Sequence, residues 1–458
     1  MLDDKKRFGG ESPQYPYEEE GIITSGPNRH ITGELDVFGN EENHQIKYKT
    51  LSWQLVAVLM IAEIVSNGML SLPSSGGVVG LVPNVILIVF LGIFGTFTAY
   101  LLVQFKLNHP EVHNMGDAGY ILFGVIGREV LSAGTVIFAV FATGGQLLAG
   151  QIALSFLFDS RLCLMLYTGI FTIPTLIFSF PRTLDRLSWL SVPSVISILV
   201  AGLVGMVGAG LNPLSPRTTS LFLQPTFVNA FVSITNPVFA YAGHFMFFIL
   251  ISEMRNPKDA MKAAYTLQIF ATSCYTVFAI VTHWYLGDGV LSPSFSSLPP
   301  VWAKAAYGIA IPNFLIAGSL YAHTAAKLIF LRLFRNSIHL HSHTLLGWGT
   351  WTFLIVLMNA ASFVLAVGVP IFSYLIGIAA SLFASWYTYG IAGAFWLHDS
   401  YYLTGERIRA WKRRKLMFVL SVLTFAAGGF ICVAGTYVII TLIIDAYKSG
   451  SVPPPFQC

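Results

Sequence analysis

Charge is what this sequence has least of. Of its 458 residues only 10% are Asp, Glu, Lys or Arg, while 55% are hydrophobic; a soluble domain of this size carries about 25% charged residues. A water-soluble globular protein is excluded. The charges are also uneven, because residues 1–50 hold 10 of the 22 acids and 6 of the 26 bases, which leaves 12 acids and 20 bases for the other 408 residues. A surface that dilute is normal only for a chain embedded in lipid. Cysteine is scarce as well. Cys163, Cys274, Cys432 and Cys458 show no C-x-x-C spacing and have no histidines at metal-ligand intervals, so no metal or other cofactor is expected. The first three fall in apolar runs and read as buried packing residues. The bases form short clusters rather than one stripe, which argues against nucleic acid. Paired catalytic carboxylates and nucleophile motifs are missing too, which argues against an enzyme. The first 50 residues contain no apolar core of the kind a cleavable signal peptide needs.

What the chain has in excess is long apolar runs. After a polar tail over 1–50, read as disordered and containing Glu18-Glu19-Glu20, segments long enough to span a bilayer recur at 51–79, 83–106, 130–158, 162–181, 188–211, 226–253, 262–287, 301–333, 346–368, 370–397 and 416–445. The fold class expected is an all-α polytopic membrane protein with 11 spans. A transmembrane domain then covers 51–445, and a short tail 446–458 follows. Orientation comes from the bases, since cytoplasmic loops retain Lys and Arg. With the N-terminus inside, 22 of the 26 bases lie on the cytoplasmic side, and only Arg161, Arg217, Lys304 and Lys448 lie outside.

Two spans break the apolar pattern. The first reads AEIVSNGMLSLPSSGG, with Glu63, Ser66, Asn67, Gly68 and Pro73 in its middle; the sixth contains Asn236-Pro237 and then Ala240-Tyr241-Ala242-Gly243-His244. Proline and glycine there weaken the helix, and irregular backbone at membrane depth survives only where it lines a cavity or is buried in protein. Two interrupted spans in corresponding positions point to a transporter's binding site. They lie five spans apart, and an odd repeat inverts one half relative to the other. Pro and Gly are also common in membrane helices, and Thr143-Gly144-Gly145, Pro174 and Pro193 are further examples here.

At these residues the sequence resembles the amino acid/auxin permease family. NGMLSLPSSGG is similar to that family's Gly-x-Leu-x-Leu-Pro signature, and FAYAGHFMFFILISEMRNP to its Phe-Gly-His and Glu-Met-x-Asn-Pro pattern, with Tyr-Ala-Gly-His as a local departure. YKTLSWQ and AEIVSNG bring it nearest to fungal neutral and aromatic amino acid permeases of the methyltryptophan-resistance type. The resemblance covers about residues 47–445. It implies the LeuT-type fold, two inverted five-helix repeats plus one helix with helices 1 and 6 interrupted. It also implies amino acids as substrates, neutral and including aromatic ones, imported by proton-coupled symport across the plasma membrane. An organellar or vacuolar exporter or exchanger, and a sensor with little flux, fit the same features.

Substrate contacts are expected at the breaks. Freed N–H groups around Gly68, Met69 and Leu70 suit a carboxylate. Carbonyls near Phe239, Ala240 and Tyr241, with the Ser66 and Asn67 side chains, suit an ammonium; Gly243 belongs to the same break, and Tyr241 and Phe239 lead as selectivity residues. For coupling, Glu63 stands one turn before the first break, where an intramembrane carboxyl is a functional candidate by default, and His244 follows the second; a structural role for each is the alternative. By the resemblance, the eighth span flanks an ion site with the first, which makes Ser319, His323 and Thr324 candidates. Sodium remains open beside the proton, because its ligands would be carbonyl and hydroxyl oxygens. Lys327 is read as snorkelling toward the cytoplasm, with its ammonium in a cation position as the alternative; His283 and Lys304 are read as facing water, and His339, His341 and His343 as a solvated loop, although His clusters also bind metals. The basic run Arg407 to Lys415 reads as a topology anchor touching anionic lipid.

Overall fold

The computed structural model describes Phe38, Glu41 and residues 44–213, 218–335, 337–369, 371–402 and 414–449. Most of the tail over 1–50, Arg217, the basic residues 407–413 and residues 450–458 lie outside the described residues. The described chain is helical, and its one β-type contact is an isolated parallel bridge between Leu51 and Met254.

The helices are α1 (Trp53–Ile64), α2 (Asn67–Val79), α3 (Leu81–Asn108), α4 (Met115–Leu157), α5 (Leu164–Ser179), α6 (Leu184–Leu211), α7 (Phe227–Ala240), α8 (Phe247–Ser252), α9 (Ala260–Leu286), α10 (Pro300–Phe334), α11 (Ile338–His341), α12 (Leu345–Gly368), α13 (Phe372–Ala379), α14 (Ile391–Tyr402) and α15 (Lys415–Lys448). Among the described residues nine helices are long and apolar enough to cross a membrane, or ten when α1 and α2, bent by 48° at their junction, count as one span. The remaining expected segment is α5, whose 16 residues fall short of the ~20 that span a bilayer unaided. Large apolar side chains such as Ile93, Ile173, Ile269 and Val433 stand exposed on four different helices. In water so much exposed apolar surface would aggregate; in lipid it is the outer face of an integral membrane protein.

Within the bundle α10 runs along α4 and α6, α1 packs on α6 and α9, and α2 packs on α7, so the two interrupted spans touch each other at the centre. Between α13 and α14 the backbone widens into a π-helical stretch, Ala380–Gly390. It lies against α15 through small residues: a Cβ on Gly390 would stand 3.1 Å from the Gly428 Cα, and one on Gly393 only 2.2 Å from the Ser421 carbonyl oxygen. Close approach through small residues is how helices associate without a hydrophobic driving force. Gly124, with φ 64°, bends α4 away from helical geometry near its start, so a short surface helix precedes the expected third span.

The described bases assigned to one side do share one end of the bundle. Arg182 donates to the His339 and Leu340 carbonyls at 2.8 and 3.1 Å, Arg255 to Thr50 at 2.8 Å, and Arg335 to Glu111 at 2.9 Å. Tyr48 reaches the Leu340 carbonyl at 3.1 Å, which brings the segment before α1 to the same end. Phe38 and Tyr48, which the composition leaves in the polar tail, are buried there and stacked at 4.7 Å. At the opposite end Lys304 pairs with Asp159 at 2.6 Å.

Two expectations about cysteine change. Cys163 caps the start of α5 at a bundle end and is disulfide-bonded, not an interior packing residue. Cys274 and Cys432 are free thiols only half-buried, because their helices turn them toward the periphery.

Candidate functional site

The first break is two residues long, Val65 and Ser66, and precedes Asn67; Gly68 and Pro73 therefore lie inside α2. Ending α1 strands its last carbonyls, and each finds a donor. Ile61 accepts from the Val65 N–H at 2.8 Å. Ala62 accepts from Asn313 at 3.4 Å, Glu63 from the Tyr321 hydroxyl at 3.0 Å, and Ile64 from the Tyr275 hydroxyl at 2.7 Å. Asn313 and Tyr321 come from α10, Tyr275 from α9. On the other side of the gap, the Met69 N–H is taken by Ser66 at 3.1 Å, so the open donors are the N–H groups of Asn67 and Gly68. Ser66 gives its hydroxyl to Gln146 Oε1 at 3.1 Å, and Asn67 Nδ2 has no hydrogen-bond partner among the described residues.

The second break follows Ala240, and Asn236 and Pro237 are helical. Asn236 ties α7 to α2 through Ser75 Oγ at 3.0 Å. The chain then turns on itself: Ala242 N–H donates to Phe239 at 2.9 Å, Gly243 to Tyr241 at 2.9 Å and Met246 to Gly243 at 3.2 Å. The Ala240 carbonyl accepts from Tyr275 at 2.7 Å. That hydroxyl therefore bridges both breaks with a single proton.

Glycine is required where the breaks cross. A Cβ on Gly68 would sit 2.9 Å from the Ala240 Cα, and one on Gly243 would sit 2.6 Å from Ile64 Cγ2, with the Glu63 carboxyl oxygens 3.6 and 3.7 Å away. The Glu63 side chain thus lies against the second break. It is 1% exposed, and neither oxygen has a hydrogen-bond partner among the described residues. An ionised carboxylate in that setting costs many kcal/mol, so this conformation holds the group as the neutral acid or beside a cation.

The other candidates are placed differently. His244 turns toward α3, its Nε2 2.9 Å from the Gly95 carbonyl; a carbonyl only accepts, so that nitrogen carries the proton. Tyr241 directs its hydroxyl to the Ile88 carbonyl and Thr272, both at 3.1 Å, between α3 and α9. Ser319 contacts the Thr175 carbonyl on α5 at 2.9 Å, and His323 packs against Trp351 of α12 at 5.2 Å, so both face away from α1. Thr324 shares the α1-facing side of α10 with Asn313, eleven positions apart, and gives its hydroxyl to Leu320 at 2.8 Å.

Three readings are corrected. Lys327 does not snorkel: it is 1% exposed, ion-paired with Glu253 and set 4.7 Å over the Tyr48 ring, because the segment before α1 closes over it. His341 does not sit in a solvated loop: its side chain is only 16% exposed and its ring stacks on His44 at 3.9 Å. His283 does not face water either; it is buried beside Asp288 at 3.4 Å. The breaks are closed to solvent, and a cavity of about 780 Å³ lined by His113, Asp117, Arg128 and Arg332 lies at the N-terminal end, away from them.

Tyr275, Tyr321, Asn313 and Gln146 were missed. Each is a polar group in the middle of an apolar helix, which is costly unless partnered; that cost is the signal in the sequence that marks them.

An apolar bundle in which two broken helices cross, with open N–H donors and a buried acid at the crossing, is the arrangement in which membrane transporters place a binding site. Solved structures agree on the fold. A Na+-coupled sialic acid symporter aligns over 91% of this chain and 94% of its own at TM-score 0.56 and 11% identity. MhsT in complex with L-phenylalanine covers 85% and 100% at TM-score 0.55 and 13% identity. The fold is thus the LeuT-type one. The chain belongs to the transmembrane amino acid transporter protein family, which matches residues 49–441. A "transmembrane transporter" of Gibberella moniliformis is 29% identical over 90% of this chain and 88% of its own length. The "N amino acid transport system protein" of Neurospora crassa is 28% identical over 97% and 96%. The protein is a membrane transporter and not an enzyme.

Proposed function

We propose that this chain imports neutral amino acids, aromatic ones among them, by proton-coupled alternating access, with eleven spans and its N-terminus in the cytoplasm. The observation that carries the reading is Glu63: a buried carboxyl without a hydrogen-bond partner among the described residues, set against Gly243 where the two breaks cross. Such a group can take up and release a proton as the site opens to either side. The α1 carbonyls that a sodium ion would draw on instead accept from Asn313, Tyr321 and Tyr275, which favours the proton. The Asn67 and Gly68 N–H groups, at the positive end of the α2 dipole, suit the substrate carboxylate. The ammonium is suited to the Ala240 carbonyl, which has only a share in the Tyr275 proton among the described residues and so keeps acceptor capacity. With Tyr241 facing α3, the side-chain wall falls to Phe245 and Phe138, whose rings meet at 4.8 Å. The Neurospora relative's name and the L-phenylalanine in MhsT fit this substrate class.

Orientation rests on the bases, and the Cys163 disulfide adds to it. It lies at the end away from them, and disulfides persist in oxidising compartments. That end is then extracytoplasmic, as at the plasma membrane. The test is uptake of an amino acid panel by reconstituted protein at two external pH values, with and without sodium. Uptake is expected to rise as external pH falls, to ignore sodium, and to be abolished in Glu63→Gln; unchanged uptake in that variant ends the role given to Glu63.

A further inference from the structure

The N-terminal end of the bundle holds a cluster that transport does not use. Glu41 and His44 come from the segment before α1, and His341 from the end of α11, 297 positions later. One ligand atom of each lies within 4.8 Å of the others. His341 Nδ1 is 4.0 Å from Glu41 Oε1, and the His44 and His341 rings stack at 3.9 Å. Both Nδ1 atoms are buried without a hydrogen-bond partner among the described residues. The Glu41 carboxylate is oriented by the Tyr48 N–H at 2.9 Å and the Lys49 N–H at 3.0 Å, as a ligand is when an outer shell fixes it, and the backbone bond from the Ile46 N–H to the His341 carbonyl at 3.1 Å holds the two segments together. A second grouping, His109, His398 and Asp399, lacks this character: His109 Nε2 is already bonded to Asp399 at 2.9 Å and its Nδ1 faces Glu111 at 3.3 Å.

We propose that Glu41, His44 and His341 bind a divalent first-row transition ion of the Zn²⁺ class, which clamps the segment before α1 onto the loop after α10. Two imidazoles and one carboxylate with a fourth position open to water suit zinc and not magnesium or calcium. The clamp's effect rests on the alternating-access reading. The segment it holds leads directly into α1 and lies over the Lys327–Glu253 pair, so a bound ion stabilises closure of this end and slows its opening.

The test uses purified full-length protein, with ZnCl₂ titrated against a chromophoric chelator and CoCl₂ as a visible-absorption probe. Wild type is expected to bind Zn²⁺ at least tenfold more tightly than His44→Ala or His341→Ala, and to show a Co²⁺ ligand-field band that both variants lose. His343→Ala serves as a folded control in the same loop, because its Nδ1 accepts from Trp348 at 3.0 Å, outside the cluster; it is expected to bind as wild type does. Equal affinity in wild type and both cluster variants, or loss of binding in His343→Ala alone, overturns the site. In proteoliposomes Zn²⁺ on the N-terminal face is expected to slow uptake several-fold in wild type and not in His341→Ala. Intact binding with unslowed uptake overturns the clamp. No uptake in metal-free wild type overturns the transport reading and leaves the metal site standing on its binding data.

Discussion

The two breaks at the centre of the bundle are held in different ways. At the first, the stranded carbonyls of Ala62 and Glu63 are satisfied by side chains from α10, and that of Ile64 by Tyr275 of α9 together with the Ser66 N–H at 2.9 Å. At the second, three short backbone bonds within residues 239–246 do most of that work. The first break is therefore a property of its surroundings and the second largely of its own chain. An element held from outside can be released when its neighbours move, whereas a self-satisfied turn keeps its shape. That asymmetry fits a site in which α1 moves and the 241–246 turn provides a fixed surface.

The largest expected effect tests where the two breaks meet. Gly68→Ala and Gly243→Ala each place a methyl inside van der Waals contact with the other break, and displacement by even 1 Å is expected to cost about 10²-fold in uptake, measured at matched surface expression. Uptake near wild type in both variants would mean the breaks do not meet in the working cycle. Next comes Tyr275→Phe, which removes the one donor common to both. An orphaned buried carbonyl costs about 1–3 kcal/mol, so a fall in thermal stability together with a raised substrate KM is expected. Tyr321→Phe and Asn313→Ala touch only the first break. They are expected to lower stability by about 1 kcal/mol each with smaller effects on KM than Tyr275→Phe; a larger effect from Tyr321→Phe would reverse the ranking.

The smallest effect on transport is expected of a control remote from both breaks. Burial opposes charge on His109, but Asp399 and Glu111 beside it overcome that and hold the imidazole up to about 9. A raised histidine contributes stability below its ordinary value near 6.5 and loses it as pH rises through about 9. The difference in unfolding free energy between wild type and Asp399→Asn should therefore be largest near pH 6, at about 1–2 kcal/mol, and vanish by about pH 10. Substrate KM should not change with it.

The comparison also shows which residues could be read in advance. Pro73, Gly68 and Gly243 mark the interrupted spans because their effect on a helix is local, and Glu63 stands out because any acid in an apolar run does. The exact gap was less legible: Val65 and Ser66 carry no breaker, and the bend falls there because Tyr321, Tyr275 and Asn313 receive the carbonyls on its near side. Ser319 and His323 share a face with Lys327 by spacing, yet spacing does not say which neighbour that face meets. It meets α5 and α12.

By itself the sequence determined that this chain lives in a membrane, where its charges gather and which two spans are broken, since transfer free energy and helix propensity act residue by residue. Tertiary structure alone decided that Lys327 pairs with Glu253, that Tyr275 bridges both breaks, and that His341 meets Glu41 and His44. Those outcomes depend on satisfying buried polar groups from helices tens to hundreds of residues apart, and no local energy encodes a partner at that distance.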